Sequence, residues 1–323
     1  IHKFAALSPD GRRIVFESLG KLYVKNAAGG EARRLTSDDE AIEAWPAWSR
    51  DGERIAYVRW TDQGLGQIVT LDANGRNQRT VTEMRGHYAV PQFSPDGRTI
   101  VFEKREGGYL TAPEFSENPG VYRVSASGGT PQLVSRGNSV PQFGASNDRI
   151  FMMGREGGNL QLLSTDLNGE AKRVHAQGDL ANDFRVSPTG EHVAFKQNYE
   201  VFVVPILPGG QAVTVGEKAS SLPVVKASKG GADYIGWADN GSTVYWSMGP
   251  TLYRATTAAM FSRAPAPENA QSFVPPETGI SLARTVRADK PTGTVAITGA
   301  RILTMTGDQA GVIENGTIVI EGD

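Results

Sequence analysis

The side chains suited to acid–base, nucleophilic or metal chemistry are sparse and scattered in this sequence. Its four histidines, His2, His87, His175 and His192, include no pair in the HxH or HExxH spacing that would put two imidazoles on one metal ion. Cysteine is absent, so thiolate ligands, disulfides and a thiol nucleophile are excluded together. No GxSxG elbow presents a serine nucleophile. The acidic cluster "SDDE" at 37–40 lacks calcium-loop spacing and reads as solvated loop acids. Residue chemistry alone therefore assigns no catalytic group, and function has to be sought in what the scaffold brings together.

The bulk properties narrow the setting. The chain has 323 residues, with 33 basic against 35 acidic side chains and a net charge of −2, which offers no electrostatic footprint for nucleic acid. No apolar run approaches the roughly 18 residues of a membrane span, and no segment resembles a signal peptide. Because Ile1 is not methionine, a processed or excised amino terminus is expected.

Internal repetition is the strongest signal. Equivalent positions Ser8, Ser49, Ser94, Ala145, Ser187 and Ala238 recur at intervals of 41 to 51 residues. Each copy has four short apolar or β-branched segments, A to D, the size of one antiparallel propeller blade. The tetrapeptide Ser8–Pro9–Asp10–Gly11 joins A to B as turn chemistry: proline presets one dihedral, aspartate bonds to nearby backbone, and glycine accepts a left-handed conformation. The expected fold is all-β, a six-bladed propeller of four-stranded antiparallel blades over residues 1–287. Ser281 to Arg287 is expected to supply the outer strand of blade six. Tryptophans 45, 48, 60, 237 and 246 are expected to pack between blades.

The pattern of an apolar strand, "SPDG", "IVF", "LYV", a double glycine and "RRLT" resembles the TolB-like propeller repeat, from about residue 4 to residue 256. The resemblance implies a disc with a central channel and, together with the lack of cysteine, a periplasmic or secreted location. Alternating strand direction puts the A–B and C–D turns on one face and the irregular B–C and D–A loops on the other. The irregular face is the expected binding face. Its candidates are the residues entering strand A at the channel mouth: Glu43, His87, Tyr88, Asp183, Arg185 and Tyr234. The loops Gly216 to Asp233 and Arg105 to Gly120 belong to the same face, the second being long enough to cover part of it.

Beyond residue 287 the blade pattern ends. "GTVAITGARILTMTGD" and "GVIENGTIVIEGD" form two strand-like runs, Val295 to Met305 and Val312 to Glu321, with a hairpin signal at Asn315 and Gly316. These motifs resemble the opening of a metal-dependent amidohydrolase of the imidazolonepropionase-like group. Residues 288–323 would then be the first strands of an incomplete β-sandwich beside a catalytic barrel. The resemblance implies zinc or another divalent metal in that barrel, held by an HxH motif beyond Asp323, and no catalytic or metal residue within 1–323. The partner it implies is the remainder of the same polypeptide, and the substrate a small molecule or peptide cleaved at a C–N bond. Two other readings stay open: a non-enzymatic envelope-binding propeller like TolB, and the gating propeller of a serine peptidase of the prolyl oligopeptidase type.

Overall fold

The computed structural model describes residues 2–106, 118–206, 211–219, 222–262, 273–288, 290, 292–306 and 311–322. Most of the proposed Arg105 to Gly120 cover, and Gly209 and Gly210, which stand where the repeat has its double glycine, lie outside these residues. Two compact units are present, Ile1–Ala283 and Arg284–Asp323.

The first unit is a six-bladed propeller. Blade one, His2–Leu7, Arg13–Ser18, Lys21–Asn26 and Gly29–Arg34, shows the plan: four consecutive antiparallel strands in chain order, the first innermost. The inner strands of the other blades are Ile42–Trp48, Tyr88–Phe93, Ser139–Phe143, Ala181–Val186 and Asp233–Ala238. Apolar side chains alternate along the strands, so adjacent blades pack face to face over six buried clusters, one at each interface. The ring closes by this packing, with Ala5, Leu7 and Phe16 of blade one against Ala238, Tyr245 and Leu252 of blade six.

The repeated A–B turn is more than a sharp corner. In blade one Ser8 is fully buried; its Oγ donates to Asp10 Oδ1 (2.5 Å) and accepts from the Arg13 amide (2.9 Å), while Asp10 Oδ1 also accepts from the Arg12 amide (3.1 Å). Ser49–Asp51 and Ser94–Asp96 repeat the hydroxyl-to-carboxylate bond. The glycine that follows is left-handed, with φ of 69° at Gly11. The next blade then leans on this corner: Arg13 lies over the Trp48 ring at 4.8 Å and donates to the Gly52 carbonyl at 2.8 Å, and Arg54 does the same with Phe93 and Gly97.

Three strand assignments differ from the sequence reading. Blade five takes its outer strand from Val225–Lys226, inside the segment read as the Gly216 to Asp233 loop. Val213–Thr214, which follows the double glycine, instead pairs in parallel with the outer strand of blade four, Ala176 opposite Val213. Burial of Val215 in the blade four–five core draws the segment there and covers an exposed sheet edge. In blade six the outer strand is only Ile280–Ser281.

Glu43 is placed as a tie between blades one and two. It is fully buried; its Oε2 accepts from the Leu22 amide (2.9 Å) and Thr36 Oγ1 (2.5 Å), while Oε1 has no hydrogen-bond partner. Desolvation raises its pKa above the ordinary carboxylate value, against the lowering effect of those bonds. The folded state therefore holds this proton more tightly than the unfolded chain. Its contribution to stability is complete below the unfolded pKa and is lost as pH rises through the folded one. Glu43→Gln should flatten that component: in melting curves from pH 4 to 8, the variant should gain on the parent as pH rises. A difference that does not change with pH would contradict the assignment.

The second unit holds a hairpin of Thr294–Leu303 with Val312–Glu321. Asn315 and Gly316 do not turn it. Asn315 is left-handed (φ 56°) and Gly316 pairs with Ala300, where the register shifts on both sides, so the pair makes a bulge inside the strand. Apolar side chains are exposed on both strands, Val295 at 58% and Val319 at 63%.

Candidate functional site

The six inner strands surround a cavity of about 460 Å³. All six carry a register shift. At this bulge Phe4, Trp45, Val90, Val140 and Tyr234 have φ between 48° and 53°. Left-handed backbone at aromatic and β-branched residues costs on the order of 1–3 kcal/mol each and persists only where surrounding structure imposes it. The bulges bend the inner strands, and Phe4, Trp45, Val90 and Tyr234 line the cavity.

The wall is chemically lopsided. Phe4 packs against Trp45 (ring centroids 4.8 Å) and Tyr234 (5.1 Å), giving a continuous aromatic arc over blades six, one and two. The Arg105 guanidinium stands 5.1 Å from the Trp45 ring. The arc is held by bonds between neighbouring inner strands: Trp48 Nε1 donates to the Ala6 carbonyl (3.0 Å) and Trp237 Nε1 to that of Arg185 (2.9 Å). Gln142 ties blade four to blade five, donating to the Phe184 carbonyl and accepting from the Val186 amide. Toward the A–B turns the cavity is lined by Pro9, Arg50 and Pro188. Arg50 donates through Nη1 to the Pro188 carbonyl (3.2 Å) and through Nη2 to that of Gly144 (2.8 Å). Burial holds its pKa below the usual guanidinium value.

Of the six residues expected at the mouth, Arg185 and Tyr234 line the cavity. Arg185 pairs with Asp183 at 3.2 Å and donates to the Ile235 carbonyl, so Asp183 stands one contact away from the wall. His87 lies against the Trp60 ring and its Nδ1 is 3.2 Å from the Glu106 carbonyl, while buried Tyr88 donates its hydroxyl to the Met84 carbonyl. Glu43 is the buried tie already described. The sequence reading missed Phe4, Trp45 and Arg50. Arg50 had a visible signal: it replaces the turn proline found at positions 9, 95 and 188.

The four histidines and two acids of the "SDDE" cluster pack on or pair with neighbouring side chains. His2, His87, His175 and His192 each pack on an aromatic ring, at 5.4 Å from Phe16, 5.8 Å from Trp60, 4.9 Å from Phe151 and 5.4 Å from Phe261. Desolvation pushes the His175 pKa down to about 4, so this imidazole is neutral at pH 7. In the "SDDE" cluster Asp38 pairs with Arg59 and Asp39 with Arg34. Among the described residues no group of three acidic or histidine side chains is placed to hold a metal ion.

The family model for the TolB β-propeller domain matches residues 8–204. An uncharacterized protein of Agrobacterium fabrum is 25% identical over 223 residues, covering 60% of this chain and 69% of that one. Dipeptidyl-peptidase 5 of Porphyromonas endodontalis is 30% identical over 106 residues, covering 30% of this chain but only 15% of the peptidase. The crystal structure of TolB from Acinetobacter baumannii superposes with a TM-score of 0.50 at 21% identity, covering 64% of this chain and 51% of that one. That last likeness is one of fold.

Proposed function

We propose, for a chain that belongs to the TolB β-propeller family, that it is the propeller portion of an extracytoplasmic, metal-dependent amidohydrolase acting on C–N bonds. Its channel admits or holds the substrate. The observation that carries this reading is the second unit. Strands of ten residues each, with apolar side chains exposed on both, form a two-stranded sheet of a kind that is marginal alone and needs further strands or a packed face. Its "ITGARIL" and "VIENGTIVIEGD" runs resemble the opening strands of the amidohydrolase sandwich. A divalent metal in the barrel would polarise the scissile carbonyl and supply hydroxide near neutral pH. Among the described residues none are grouped to hold such a metal, so no catalytic step is assigned to them.

The test is hydrolysis of dipeptides and amides by the polypeptide isolated from its source. Activity abolished by a chelator and restored by zinc is the expected result. The local similarity to a dipeptidyl-peptidase favours a second reading, a gating propeller of a serine peptidase. Chelator-resistant hydrolysis blocked by a serine-directed inhibitor would establish that reading instead, and absence of hydrolysis would leave a binding propeller.

A further inference from the structure

We infer that the channel is a receptor for short peptides bearing a free C-terminal carboxylate, with Arg50 reading the carboxylate and the Phe4–Trp45–Tyr234 arc holding an apolar side chain nearer the N-terminus. This deepens the proposed function and rests on its reading of the channel as a substrate passage.

Arg50 has five N–H donors, and two go to main-chain carbonyls across the channel. Those carbonyls fix the guanidinium without neutralising it, and its perturbation has burial as its only cause, with no carboxylate contributing. Asp10 and Asp51 share the wall, yet each turns Oδ1 onto its own corner and lies beside another arginine, Arg13 and Arg54 respectively. A half-buried guanidinium with donors to spare is the side chain that best pairs with a carboxylate.

The spacing selects a peptide over a small acid. The arc stands four residues before the turn serine position and Arg50 one residue after it, roughly 13–16 Å along an extended strand. That is the reach of about four to five extended residues, in a volume typical of small-ligand sites. Between the two ends lies Gln92, whose amide has no protein partner among the described residues and can pair with a peptide group.

Calorimetric titration of the purified chain with Phe-Ala-Ala-Ala, as the free acid and as the C-terminal amide, tests the inference. The acid should bind about tenfold tighter than the amide. Arg50→Gln should reduce acid binding to the amide level, Arg50→Lys should restore part of the preference, and Trp45→Ala should weaken both forms alike. Equal binding of acid and amide by the parent chain, or unchanged acid binding in Arg50→Gln, overturns carboxylate recognition while the channel reading survives. Binding of neither form overturns both. Should Arg50→Gln fail to fold, the acid-to-amide ratio of the parent decides.

Discussion

Replacing Trp48 with alanine should cost about 3–5 kcal/mol of propeller stability, the largest effect expected of any side chain at the channel wall. Three losses combine. The indole fills the interface between blades one and two beside Val15, Ile55 and Tyr57. Its Nε1 ties the two inner strands through the Ala6 carbonyl, and its face carries the Arg13 guanidinium. Trp48→Phe keeps most of the packing and the cation–π contact but drops the tie, at about 1 kcal/mol beyond the lost volume. Denaturant midpoints with unchanged slopes would measure both. Near-equal losses for alanine and phenylalanine would show that the hydrogen bond, not the packing, holds the interface.

How much of this was readable beforehand varied with the physics involved. The blades were legible because turn chemistry is local: Ser8, Asp10 and Gly11 satisfy one another within a few residues and recur with the repeat. The outer strands were less so. Val213–Thr214 and Val225–Lys226 are two-residue strands whose partners are chosen by burial against a neighbouring blade, which no local pattern encodes. The channel wall was the least legible. Phe4 reads as an ordinary strand residue and Trp45 as inter-blade packing until the bulge lines the cavity with them, and Glu43 reads as a channel-mouth binding residue until two donors from the neighbouring blade enclose it. In the tail, Asn315–Gly316 reads as a turn because the same left-handed asparagine serves a bulge.

Gly169→Ala should be the most damaging small substitution, costing more than about 2 kcal/mol. Gly169 lies in the C–D turn of blade four, where a Cβ would stand 2.0 Å from the Val134 carbonyl oxygen of the preceding blade, at φ of +85°. Gly158, also in blade four, provides the comparison. Its φ is +88°, but a Cβ there meets nothing within 4 Å. Gly158→Ala should therefore show the left-handed conformational cost alone, about 1 kcal/mol. Thermal unfolding of the pair separates contact from conformation. Equal shifts would mean that Val134 gives way and that blade spacing is soft.

The amidohydrolase reading proposed above rests on the two runs of the hairpin, "ITGARIL" and "VIENGTIVIEGD". The reading frame that follows residue 323 in the source genome tests this most directly. An HxH motif within about the next 60 codons, followed by alternating strand and helix patterns, is the predicted result. A stop codon, or a GxSxG elbow in place of HxH, would contradict the amidohydrolase assignment.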